Sequence, residues 1–158
     1  MKQFANPPFI NPKTAEKTIR RLIYRFFSAN IGVKKIRVNG ELKDKIFFSF
    51  KRPFHGANGE VCTPDALTRL FPAQELYVLR HYAYQANPLP LFCARAEAIA
   101  QDLADLDALC QYEYAYIFDK NLSACFWVSD SCAPYPADAN GKTEKHAALL
   151  IRYEPIKR

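Results

Sequence analysis

Hydrophobic positions along this chain change period several times, and each change marks an element. After a Pro-broken arm at residues 1–10 (MKQFANPPFI), Asn11-Pro12 offers an N-cap side chain followed by a first-turn proline. Ala15, Ile19, Leu22, Ile23, Phe26 and Phe27 then recur at helical spacing and fall in one stripe about 140° wide. Lys13, Lys17, Arg20, Arg21, Tyr24 and Arg25 fall opposite it. The spacing predicts an amphipathic helix from residue 12 to about Asn30, with Gly32 as a stop signal. Glu16 is the single acid within it, so pairing along the helix leaves most of the cationic face unanswered.

Residues 33–50 (VKKIRVNGELKDKIFFSF) switch to alternation around Asn39-Gly40, which predicts a β-hairpin. A three-residue loop, Val38-Asn39-Gly40 with a left-handed Gly40, sets Ile36 opposite Leu42 and segregates the two faces. One face then carries Ile36, Leu42, Ile46, Phe48 and Phe50. The other carries Lys35, Arg37, Lys43, Lys45 and Phe47. A two-residue turn would mix apolar and basic positions, so the bulged register is expected.

Residues 51–60 (KRPFHGANGE) read as a loop. Thr63-Pro64-Asp65 caps a short helix over about 64–70, and Pro72 opens another over about 73–85, with Leu76, Leu79, Tyr82 and Ala83 as its buried stripe. Phe92, Ala96, Ile99, Leu103, Leu106 and Cys110 predict a long helix over 91–110. Tyr112–Phe118 and Leu122–Ser129 alternate as strands around Asp119-Lys120-Asn121. Tyr112, Tyr114, Tyr116 and Phe118 share one face. Ala124, Phe126 and Val128 share another, with Cys125 and Trp127 opposite. Residues 130–145 read as a long polar loop, and 146–153 (HAALLIRY) as a final strand. The fold class expected is α+β: a single domain over 1–158 with a mainly antiparallel or mixed sheet of about five strands. Three or four helices pack on it, on one face.

Composition adds little to that picture, but charge distribution adds something. The net charge is +6, yet residues 1–55 hold thirteen Lys/Arg against three acidic residues, and the remainder holds nine against thirteen. The early third is therefore strongly basic and the rest mildly acidic. Residues 1–20 contain no apolar signal-peptide core, and no run is long enough for a bilayer span, so a cytoplasmic protein without membrane attachment is expected.

Familiar catalytic patterns are missing: no Walker A, GxGxxG, HExxH, GxSxG or EF-hand loop occurs. His55-Gly56-Ala57-Asn58-Gly59 is the nearest approach to a phosphate loop and reads as a plain turn. Cys62, Cys93, Cys110, Cys125 and Cys132 form no C-x-x-C, and His55, His81 and His146 are scattered, so neither metal nor cofactor is expected and most thiols read as small buried groups. Cys132 and His146 flank the long loop and supply a thiol and a base without a motif; a surface cysteine and a strand-end histidine explain them more simply. Asp102, Asp105 and Asp107 lie off the helical stripe and read as an exposed acidic face, not as paired catalytic carboxylates. The tyrosine stripe and Trp127 read as packing before base stacking.

These observations favour a binding module over an enzyme. The candidate contacts for an anionic macromolecule, nucleic acid before others, are Lys17, Arg20, Arg21, Arg25, Lys35, Arg37, Lys43, Lys45, Lys51 and Arg52, with Phe47 as a stacking ring. The alternative is a small inhibitor, immunity protein or adaptor that recognises an acidic partner protein.

Overall fold

The computed structural model describes residues 8–26, 32–47, 59–80, 91–104, 115–134, 139–141 and 146–156. Its elements in chain order are α1 (Pro12–Phe26), β1 (Gly32–Val38), β2 (Glu41–Phe47), β3 (Glu60–Cys62), α2 (Asp65–Leu70), β4 (Glu75–Arg80), β5 (Leu91–Arg95), α3 (Ala96–Leu103), β6 (Ala115–Asp119), β7 (Cys125–Pro134) and β8 (His146–Tyr153). β1 and β2 pair with each other. The other strands build an open antiparallel sheet in the order β3-β8-β7-β6-β4-β5. The class is α+β, with six strands in this sheet where about five were expected.

Helices cover both faces of the sheet, not one. On one face Leu67 and Phe71, from α2 and its end, and Ile99 and Leu103 of α3 pack against Leu76, Val78, Phe92, Ile117, Phe126, Val128 and Leu150. On the other face Ala15, Ile19, Leu22 and Phe26 of α1 meet Leu79, Leu91, Tyr116, Phe118, Leu122 and Cys125. The inner strands therefore bury both sides: every residue of β6 is buried. Its alternation still sorts the two cores, with Ala115 and Ile117 toward α2 and α3 and Tyr116 and Phe118 toward α1. The expected split of Ala124, Phe126 and Val128 from Cys125 and Trp127 is found, and Tyr116 is packed in the core. Tyr112 and Tyr114 lie outside the described residues.

This two-sided burial explains the two largest differences from expectation. Residues 75–80 form strand β4 where a helix over 73–85 was expected, and 91–95 form strand β5 where the long helix was expected to begin. A central strand with apolar side chains on both faces presents Leu76, Val78 and Leu79 in a pattern that a helical stripe also satisfies. The break between Pro72 and β4 is a turn in which Ala73 takes φ +56° and its N–H donates to Glu97 Oε1 at 2.6 Å. The third helix shortens to Ala96–Leu103, and Asp102 is fully buried, not part of an exposed acidic face. Asp105 and Asp107 lie outside the described residues. At α2 the side-chain cap expected from Thr63 is not made: the Thr63 hydroxyl donates to the Asp65 carboxylate, and the Thr63 carbonyl accepts from Ala66 N at 3.0 Å.

Two further segments differ. β3 was not anticipated; it is a three-residue edge strand on β8. The expected loop 130–145 is shorter, because β7 runs on to Pro134 after a bulge between Val128 and Cys132 and pairs Pro134 with His146.

In α1 the starting signals work as read. Asn11 Oδ1 accepts from Lys13 N at 2.9 Å and the Asn11 carbonyl accepts from Ala15 N at 2.8 Å. Near the other end, the Arg25 carbonyl accepts from Ile156 N at 2.8 Å, which satisfies one terminal carbonyl and ties the C-terminal segment to the helix. Phe26 is fully buried between helix and sheet. Phe26→Ala is expected to cost about 3–5 kcal/mol, read as a lower urea midpoint in equilibrium denaturation.

Candidate nucleic-acid interface

Burying Ala15, Ile19, Leu22 and Phe26 fixes the rotation of α1 about its axis, and the remaining positions turn to solvent. Lys13, Lys17, Arg20, Arg21, Tyr24 and Arg25 are all exposed. Glu16 answers one cation: its Oε1 accepts from Arg20 Nη2 at 2.8 Å and from Arg20 Nε at 3.1 Å. Both partners are largely solvated, so the pair contributes a few tenths of a kcal/mol and halves little of the field.

A second wall stands beside this face. The turn from β6 to β7 brings Asn121 and Leu122 alongside α1, and together with Lys17, Arg20, Arg21, Tyr24 and Arg25 they enclose an open cleft of about 550 Å³. Asp119 builds that turn. It is 3% exposed, and its carboxylate accepts from Ser123 N at 2.8 Å, Ser123 Oγ at 2.7 Å and Ala124 N at 3.0 Å. Its carbonyl accepts from Leu122 N at 3.0 Å, and Leu122 takes φ +56°. Arg25 Nε donates to the Leu122 carbonyl at 3.4 Å, joining the turn to the helix. A fourth link steadies the strand end: Lys120 Nζ lies 2.9 Å from Glu75 Oε2 and 6.0 Å above the Tyr77 ring. The Glu75 carboxyl is held below its usual range by the hydrogen bond from Lys120, and the Lys120 ammonium is raised by the same bond.

Of the candidate residues, Lys17, Arg20, Arg21 and Arg25 are thus brought together. The hairpin candidates are arranged differently from expectation. Asn39 (φ 51°) and Gly40 (φ 82°) make a two-residue turn that pairs Val38 with Glu41, Ile36 with Lys43, Lys35 with Asp44 and Lys34 with Lys45. Both left-handed residues suit a type I′ turn, whose twist matches that of the strands, and this local preference overrides the bulged register. Lys35 and Arg37 consequently share a set of positions with Leu42 and Asp44. Lys43, Lys45 and Phe47 belong to the opposite set with Ile36. The single basic hairpin face is not formed. Lys51 and Arg52 lie outside the described residues.

Tyr24 and the Asn121–Leu122 wall were not among the candidate contacts. Tyr24 carried a signal, an aromatic ring set among cations on the polar side of the helix. Asn121 and Leu122 carried none, since a turn 97 residues beyond Arg25 reaches the helix through tertiary packing alone.

Three of the described thiols are held in the protonated form. Burial pushes the Cys62 thiol up to about 11, with Glu60 adding to the rise, and it raises Cys93 and Cys125 as well. A raised thiol is a poor nucleophile near neutral pH. The β7–β8 register places Cys132 opposite Ala148 and His146 opposite Pro134, two pair positions apart on one ribbon. Among the described residues no group of three or more His, Cys, Asp or Glu side chains is placed to hold a metal ion, and no helix is long and apolar enough to cross a membrane. No family model, curated protein or solved structure matches this chain.

Two outcomes follow from this geometry. Asp119→Ala removes three hydrogen bonds from a buried turn and is expected to lower stability by about 1–3 kcal/mol in urea denaturation, with Asp119→Asn costing less because one acceptor remains. Stability is also expected to fall as pH rises from about 9 to about 11. Cys62, Cys125 and Tyr116 are raised in the folded state and hold their protons above the pH at which the unfolded groups release them, Cys62 until about pH 11, so the unfolded state binds fewer protons across this window. A melting temperature that holds constant from pH 8.5 to 10.5 would contradict this.

Proposed function

We propose that this protein is a binding module that uses the outer face of α1 and its flanking cleft to engage an anionic macromolecule, nucleic acid first, without strong sequence specificity. One observation carries the reading: Lys17, Arg20, Arg21 and Arg25 converge on one cleft, and Glu16 is the single acid of the helix that bears them. Cations gathered on a rigid element attract phosphates by displacing condensed counterions, and this needs no base-reading motif. The hairpin is secondary here, since its register divides its lysines between two sets of positions.

The reading is tested by fluorescence polarisation with short labelled DNA and RNA across a salt series. If the four cleft cations meet phosphates, log K falls against log salt with a slope of about −3 to −4. The double variant Lys17→Glu/Arg21→Glu changes two exposed positions and is expected to weaken binding at least about tenfold at low salt, with unchanged helical circular dichroism. Absence of binding at low salt overturns the proposal. So does equal competition by polyglutamate, which would favour recognition by an acidic protein.

A further inference from the structure

The shape of the cleft, and not its charge alone, bears on what enters it. A helix that reads duplex DNA projects into the major groove, a channel about 12 Å wide that must receive the helix's whole exposed side. Here α1 is seated on the sheet, and the Asn121–Leu122 turn stands beside its cationic face, so the exposed cations border a shallow, open concavity. A duplex presents its own convex backbone to such a surface and reaches its rim. A flexible single strand can lower a phosphate and a base into it. The volume, about 550 Å³, falls in the ordinary range for sites that hold a small organic group.

The lining matches both halves of a nucleotide. Lys17, Arg20, Arg21 and Arg25 supply charge for the phosphate, with their aliphatic stems and Leu122 forming the less polar wall. Tyr24 is 66% exposed, the most exposed large hydrophobic side chain among the described residues. It stands one helical turn beyond Arg20 and Arg21 on the same face. An aromatic ring amid cations is the arrangement that sequence-tolerant single-strand binders use, with bases stacking on the ring while the backbone follows the charge. The Asn121 side chain brings an amide donor and acceptor to the opposite wall, able to meet a base edge or a sugar hydroxyl.

Resting on the reading of α1 as a nucleic-acid face, we infer that the cleft binds an unpaired nucleotide of single-stranded RNA or DNA, with the base stacked on Tyr24 and the adjoining phosphates held by Lys17, Arg21 and Arg25. Tyr24 is the specificity-determining residue for unpaired over paired strands.

The experiment compares a labelled 12-nucleotide oligo(U) or oligo(dT) with a 12-base-pair duplex, using the full chain and its Tyr24→Ala and Tyr24→Phe variants at several salt concentrations. The single strand is expected to bind at least about tenfold more tightly than the duplex. Tyr24→Ala is expected to weaken single-strand binding about 5- to 100-fold and to leave the salt slope unchanged, because the ring carries no charge. Tyr24→Phe keeps the π-face and should bind as the unaltered protein does. Equal affinity for single strand and duplex overturns the inference, as does a Tyr24→Ala variant that binds normally. In either case the broader proposal stands provided Lys17→Glu/Arg21→Glu still weakens binding at least about tenfold. If the unaltered protein binds no polynucleotide at low salt, both fail together.

Discussion

The contact between α1 and the sheet governs the rest of the arrangement. Ile19, Leu22 and Phe26 recur every three or four residues and are at most 1% exposed against Leu79, Tyr116, Phe118 and Cys125. Each such side chain gains roughly 1.5–3 kcal/mol on leaving water. No rotation of the helix by more than a few tens of degrees keeps that gain. The positions between them have therefore no choice of environment, and a run of lysines and arginines that would otherwise scatter is held to one side. Charge patterning on the surface is here a consequence of apolar burial beneath it.

A second consequence concerns the β6–β7 turn. Because Tyr116, Phe118, Leu122 and Cys125 belong to the same apolar cluster as α1, the turn that joins their strands must end close to the helix. Asp119 then closes that turn with three hydrogen bonds from its carboxylate, and the Leu122 carbonyl accepts from Arg25. The wall opposite the cationic face is thus built from a buried carboxylate, a left-handed leucine and a helix-borne guanidinium. A local rearrangement of Asp119 or Leu122 changes the cleft without altering a cation that lines it, whereas one at Arg25 alters both.

Two segments show how far periodicity reaches. In α1, one face of a surface helix meets the core and the other meets water, so a 3.6-residue period is visible and the helix, its cap and its cationic side were legible in the residues. In β4 the same kind of inspection fails. Leu76 and Val78 face α2 and α3, Leu79 faces α1, and with both sides dry the alternation that announces a half-exposed strand is erased. Tyr77 and Val78, an aromatic and a β-branched residue in succession, were the remaining sign of a strand. The hairpin failed for the opposite reason. Segregating faces favoured a bulge, but Asn39-Gly40 accepts two left-handed residues at little cost, and local turn geometry set the register.

What the residues decided alone was local: where α1 begins, which of its sides is apolar, where the Asn39-Gly40 and Asp119–Asn121 turns fall, and how Ala124, Phe126 and Val128 separate from Cys125 and Trp127. Those features depend on side chains within a few positions of one another, and spacing encodes them directly. Tertiary structure decided that helices cover both faces of the sheet, that residues 75–80 and 91–95 are strands, and that Asn121 and Leu122 stand across from Arg21 and Tyr24. Each of these depends on which surfaces meet after the chain has folded back on itself, and burial on two sides removes the polar-apolar contrast by which a sequence announces them.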